Sequence, residues 1–228
     1  MPLFTILDLL ALAFFLCTWA AYGVVIDRTE RRRRGLNAEM AQYRQLWMTE
    51  MLGREMRMVD AQITAALQNG TAFFASASLI AVGGALTLLR STPELLNVMA
   101  ALPFAIKFSA VQWEAKTIGL AVIFVYAFFK FAWCYRLYNY VAILVGAAPP
   151  VESKDSAAAK AHAARVAGLC DVAGTHFNRG QRALFFALGY LGWFISPWLL
   201  MATSVVVAAI LWRRQFASDS RRALLGGE

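Results

Sequence analysis

Apolar and polar positions fall in blocks along this chain. Four long apolar runs, 4–26, 71–89, 117–146 and 183–212, stand between polar stretches. At ~1.5 Å of helix per residue, each can cross the ~30 Å hydrocarbon core of a bilayer. The pattern predicts an all-α fold: one membrane domain, a polytopic transmembrane helical bundle of four spans. A shorter apolar stretch, 95–108, is interrupted by Pro103 and Lys107. It reads as an amphipathic element lying on the outer surface or dipping into it.

Between the first two spans the period changes. Segment 36–70 contains no proline, and Met40, Tyr43, Trp47 and Met51 line one helical side. Beyond Gly53 the stripe is rebuilt by Met56, Val59, Ile63 and Leu67, which leads into the second span. Two helices breaking near Gly53 are predicted, the second a protruding extension of span two. The first fits either of two settings. It lies along the inner leaflet, with Trp47 and the arginines Arg31, Arg32, Arg33 and Arg34 at headgroup depth, or it packs on the other cytoplasmic helix. Glu50–Arg54 and Arg57–Asp60 have the spacing of helical ion pairs. The stretch GAAPPVESKDS is a turn and linker, the alanine-rich 156–178 is a second cytoplasmic helix, and 213–228 is a tail.

Composition agrees with a membrane chain: 60% of residues are hydrophobic and mean hydropathy is +0.53, against about 45–50% apolar in soluble domains. The 22 basic and 14 acidic residues give a net charge of +8. Because the arginines flank apolar runs, anionic lipid headgroups suit them better than nucleic acid does. The chain also has no zinc-finger spacing or RNA-binding signature. An acid before the first apolar core and RTERRRR after it mark an uncleaved anchor with the N-terminus outside. With four spans, thirteen basic residues face inward and seven outward, and the C-terminus also falls outside. The basic tail favours the inside, where an odd number of spans would place it.

Candidate chemistry is sparse. In FFKFAWCYRLYNY, Lys130 and Arg136 interrupt the third span. Snorkelling into a belt of tyrosines is one account of them, and a partnered Lys130 inside the bundle is the other. Asp8 is the acid within a span, near its outer end, while Pro197 predicts a kink in span four. Cys17, Cys134 and Cys170 are scattered as packing residues are. His162, Cys170, Asp171 and His176 match no metal spacing. No nucleophile elbow, phosphate loop or paired carboxylates occur, so neither catalytic residues nor a cofactor is expected.

The stretches WMTEMLGREMRMVD, NGTAFFASASLIAVGG, FFKFAWCYRLYNYVAILVGAAP and HFNRGQRALFFALGYLGWFISPWLLM together resemble an integral membrane family of bacteria and plants, domain of unknown function 599. The resemblance runs from about Arg44 to Phe216. It implies that Arg57, Asp60, Lys130, Arg136, Asn178, Arg179 and Arg182 matter, and that polar residues converge at the cytoplasmic ends of the spans. The expected setting is the bacterial inner membrane. The expected role is a non-catalytic accessory or scaffold subunit binding anionic lipid and a membrane partner, or pairing with itself. The rival is a small oligomeric transporter or channel with Lys130 near its pathway.

Overall fold

Long apolar runs satisfy their backbone polar groups internally only as helices, and helices are what form. The computed structural model describes residues 4–28, 35–93 and 109–224. Arg31, Arg32, Arg33, Arg34 and the 95–108 stretch lie outside the described residues. The helices are α1 (Ile6–Arg28), α2 (Leu36–Met51), α3 (Met58–Arg90), α4 (Ala110–Gly146), α5 (Ala157–Tyr190), α6 (Pro197–Phe216) and the short α7 (Asp219–Leu224). The fold is all-α, and four helices, α1, α3, α4 and α6, are long and apolar enough to cross a membrane.

Local signals explain the boundaries. A capping box, in which Ser109 and Gln112 bond each other's backbone, opens α4. The hydroxyl of Ser156 caps α5 at Ala159 N–H. Chain 52–57 separates α2 from α3 at the expected break beside Gly53.

Two hydrophobic cores lie in series along α4 and α5. One joins Ala11 and Phe15 of α1, Leu120, Ile123, Ala127 and Phe131 of α4, Phe186 and Tyr190 of α5, and Leu200 of α6. The other joins Met48 and Met51 of α2 to Leu137, Val141 and Val145 of α4 and Ala159, Val166 and Cys170 of α5. Between them Phe74, Phe131 and Phe177 meet with ring centroids 5.4–5.5 Å apart. The first core packs on α1 from Ala11 to Trp19. The second forms a platform beyond it, built from α2 and the protruding ends of α3, α4 and α5.

The fourth apolar run corrects the sequence reading. Residues 183–212 are not one span: α5 ends at Tyr190, a 3-10 turn covers Leu191–Phe194, and α6 starts at Pro197. Ser196 accepts the N–H of Leu199, so Ser196-Pro197 is a helix start and not a kink. Gly192 permits the reversal, because a Cβ there would meet the Leu199 backbone at 3.1 Å. The chain therefore doubles back, with the Thr203 hydroxyl donating to the Gly189 carbonyl at 2.7 Å.

In consequence α5 accompanies α4 along its length, from the 147–156 turn to the contact of Lys116 with Trp193. Five helices, α1, α3, α4, α5 and α6, thus run along the bundle, and four of them, all but α5, are long and apolar enough to cross a membrane. The end of α6 comes back to the platform, where Gln215 packs against Gly35. The start of α1, beside Trp193, and the end of α6, beside Gly35, stand at opposite ends of the bundle, whereas the sequence reading put both ends of the chain on one side.

Candidate functional site

The polar residues gather in three clusters. At the boundary between the two cores, Arg179 Nε donates to Asp27 Oδ2 at 2.7 Å and Arg182 Nη2 to Asp27 Oδ1 at 3.1 Å. One turn of α5 thus places both guanidiniums on the carboxylate that ends α1. Arg182 is only 6% exposed, and its guanidinium lies 5.6 Å over the Tyr22 ring. Its Nη1 is buried and donates to no acceptor among the described residues.

The second cluster locks the platform. Asp60, fully buried, accepts from Trp47 Nε1 at 2.7 Å and Arg54 Nη1 at 2.5 Å. Arg57 donates to the carbonyls of Ala148 and Pro149 at 3.0 and 2.5 Å, tying the start of α3 to the α4–α5 turn. These contacts replace the expected Glu50–Arg54 and Arg57–Asp60 pairs: the break at 52–57 turns Arg54 away from α2 and onto Asp60. Arg44 completes the lock by pairing with Asp171 of α5 at 2.9 Å.

The third cluster sits at the far end of α1. Asp8 accepts from Trp193 Nε1 at 2.9 Å and lies 3.9 Å from Lys116 Nζ, which itself donates to the Trp193 carbonyl at 2.8 Å. The Thr5 hydroxyl donates to the other Asp8 oxygen at 2.6 Å.

Two cavities meet at the first cluster. A polar chamber of about 630 Å³ lies on the platform side, lined by Asn37, Gln42, Asn178, Gln181, Arg214 and Gln215 among others. An apolar groove of about 930 Å³ runs the other way along α1 and α4, past Trp19, Gly23, Gly119 and Val122 to Trp193. Asp27 and Arg182 line both.

The residues singled out from sequence therefore divide. Asn178, Arg179 and Arg182 come together at the junction, while Arg57 and Asp60 belong to the lock. Lys130 is half-buried with its Nζ 5.0 Å over the Tyr126 ring, and it lines neither cavity. Asn139 is bonded to Gln68 instead, Ser196 caps α6, and Asp8 faces Lys116. Arg136 is exposed and donates from Nε to the Tyr140 hydroxyl at 2.7 Å, a local pair on the helix surface. Trp47 turns inward onto Asp60 and the platform core. On α2, Met48 and Met51 are buried while Met40 and Tyr43 face away, so the inward side is rotated from the expected stripe.

Asp27, Arg54, Lys116 and Trp193 were not among the candidates. Asp27 carried a signal, an acid immediately before an arginine run at the end of an apolar span. The others carried none, since their partners are distant in sequence or across the 52–57 break.

His162 Nε2 faces the Leu144 carbonyl at 2.9 Å and Asp171 is held by Arg44. Among the described residues, no three histidine, cysteine or acidic side chains gather as a metal site.

The family model for a protein of unknown function, DUF599, matches residues 10–220. No curated protein and no solved structure matches the chain.

Proposed function

The chain belongs to the DUF599 family, proteins of unknown function, and we propose that it is a non-catalytic accessory or scaffold subunit, surrounded by lipid along its spans and holding a membrane partner on its platform. One observation carries this reading. Met56, Val59, Ile63 and Leu67 are all exposed on one stripe along the platform end of α3 and the chain leading into it. The 33 residues of α3 make about 50 Å of helix, roughly 20 Å more than a hydrocarbon core covers. An apolar stripe past that depth is surface that a protein partner covers at a gain.

The lock supports the same reading. Asp60, Trp47, Arg54, Arg57, Arg44 and Asp171 are engaged with one another and with backbone carbonyls, which ties α2, α3, α5 and the α4–α5 turn into one platform. The transport alternative draws less from the geometry, because Lys130 rests on Tyr126 away from both cavities.

In this reading the platform faces the cytoplasm of a bacterial inner membrane and the N-terminus lies outside. Arg44, Arg54, Arg57, Lys154, Lys160, Arg165, Arg213 and Arg214 stand at the platform end, and among the described residues the opposite end carries Arg90 and Lys116. Such asymmetry accords with the positive-inside rule. The test is gentle extraction of the tagged chain from its own membrane, with and without Ile63→Glu and Leu67→Glu. A stoichiometric subunit lost from the double variant, with the chain still folded in the membrane, is the expected result. An unchanged set of co-purifying chains overturns the proposal.

A further inference from the structure

The apolar groove and polar chamber share one guanidinium, and that guanidinium has spare hydrogen-bonding capacity. Arg179 and Arg182 both stand on the one carboxylate, Asp27, that the described residues place at this junction, so positive charge is in excess there. Arg182 Nη1 is buried without an acceptor among the described residues, and a Cβ on Gly23, which lines the groove, would stand 3.7 Å from it. A buried, unsatisfied guanidinium donor costs roughly as much as the hydrogen bond it lacks. It stands where an apolar groove, open to the lipid side of α1 and α4, reaches the edge of a chamber lined by amides.

From this we infer that the junction is a binding site for one anionic phospholipid of the surrounding bilayer. Its phosphate sits on Arg182 Nη1 and the outward side of Arg179. One acyl chain lies in the groove against Trp19, Gly119 and Val122, and the rest of the headgroup enters the chamber beside Asn178 and Gln181. The two halves of the site match the two halves of such a molecule: planar donors for a phosphate, an apolar trough for a chain, and neutral amides for headgroup hydroxyls. The volumes of the groove and the chamber are those of a ligand site. Gly23 leaves room beside Arg182 Nη1, and Gly119 lets the Tyr190 hydroxyl pack closely on α4 in the wall of the trough. The site stands apart from the α3 stripe, so it does not depend on the platform partner.

The test uses the full chain reconstituted in nanodiscs of mixed phosphatidylglycerol and phosphatidylcholine, re-extracted into neutral detergent and weighed by native mass spectrometry. The wild-type chain is expected to retain one phosphatidylglycerol. Val122→Trp fills the trough away from the arginines and Gly23→Leu fills it beside Arg182 Nη1, and both should lower that retention roughly tenfold, as should Arg182→Gln. Elution position and melting temperature report folding for each variant, and the two trough variants stand at separate positions so that failure of one leaves the other. Retention unchanged in both trough variants, or equal retention of phosphatidylcholine, overturns the proposal. Displacement of the lipid by inorganic phosphate alone, with the trough variants still binding, reduces the junction to a simple anion site and overturns it as well.

Discussion

Asp8 and Asp27 stand on one helix, nineteen residues apart, and each holds a charged cluster contributed by α4 or α5. At ~1.5 Å per residue this is about 28 Å, close to the ~30 Å thickness of a hydrocarbon core. The clusters therefore fall at the two rims of the layer that α1 crosses. Charged groups inside a bilayer are tolerated where they are partnered and face the bundle, and both aspartates meet that condition. Lys116, 3% exposed, reaches Asp8, and the two arginines of α5 reach Asp27. The same spacing separates the membrane core from the platform core and marks where protruding helix begins.

Removing the Asp60 carboxylate should loosen the platform without disturbing the membrane core. Asp60→Asn keeps the size but weakens both the Trp47 and Arg54 contacts, at a cost of about 2–3 kcal/mol for charge-assisted bonds to a buried group. Arg54 is partly exposed, which keeps the figure below that for a fully buried pair. Limited trypsin digestion checks it. Cleavage after Arg54 and Arg57 should accelerate severalfold, and equal rates in both proteins would contradict the lock.

Gly180 and Phe131 form a contact in which neither can grow. A Cβ on Gly180 would meet the Phe131 ring at 2.7–2.9 Å, so Gly180→Ala overpacks the boundary between the cores at a cost of about 1–3 kcal/mol. Adding Phe131→Leu should recover part of that loss. The measurement is thermal stability in one detergent for the two single variants and the double. Additive losses would mean that the two residues do not meet.

The contrast with what the sequence made legible is instructive at particular residues. The first three apolar runs became α1, α3 and α4 because hydropathy over about twenty residues is a strong signal. The fourth misled because Gly192, Ser196 and Pro197 lie inside an unbroken apolar run, where the Ser-Pro start of a new helix reads as a kink. The end of α5 was hidden for the opposite reason: Arg179 and Arg182 lower its hydropathy below that of a span. Of the site, Asn178, Arg179 and Arg182 were marked by the family resemblance. Their partner Asp27 is 152 and 155 residues away, a distance that periodicity cannot bridge. Lys130 drew notice for being a charge in a span, yet its ammonium group rests on the neighbouring Tyr126.

Lys130→Met should therefore be close to neutral. The change gives up one cation–π contact, worth about 0.5–2 kcal/mol between the exposed and desolvated limits, and gains an apolar side chain on a half-buried face. Arg57→Glu, by contrast, leaves the Ala148 and Pro149 carbonyls facing a carboxylate. Fluorescence-detected size exclusion after mild heating should show Lys130→Met matching the wild type and Arg57→Glu losing its folded peak. A loss as large for Lys130→Met would restore an interior role for that residue.

Cys170 should resist alkylation even in mild base. Burial in the platform core pushes its thiol up to about 12, although Arg44 nearby acts in the other direction. The thiolate is the nucleophile, so at pH 8 only on the order of one thiol in ten thousand is reactive, and raising pH from 7 to 9 leaves the neutral form dominant. In a chain carrying Cys17→Ser and Cys134→Ala, maleimide labelling of the folded protein should stay low across that range and rise when Asp60→Asn opens the platform. Ready labelling of the native chain at pH 8 would place Cys170 outside the core.

The side on which the chain ends is the most economical check on the whole arrangement. Gln215 packs on Gly35, so the end of α6 shares its side with α2 and the 147–156 turn, while Asp8 and Trp193 mark the other. Single cysteines at Glu152 and Ser218, in a chain lacking Cys17, Cys134 and Cys170, should be labelled by an impermeant maleimide from the same face of a sealed vesicle. A cysteine at Thr5 should be labelled only from the opposite face. If the platform faces the cytoplasm as proposed, right-side-out vesicles should protect both Glu152 and Ser218 until they are opened. Labelling of Ser218 and Thr5 from one face would require an even number of crossings. That result would remove α5 from the membrane layer, and with it the junction at Arg182.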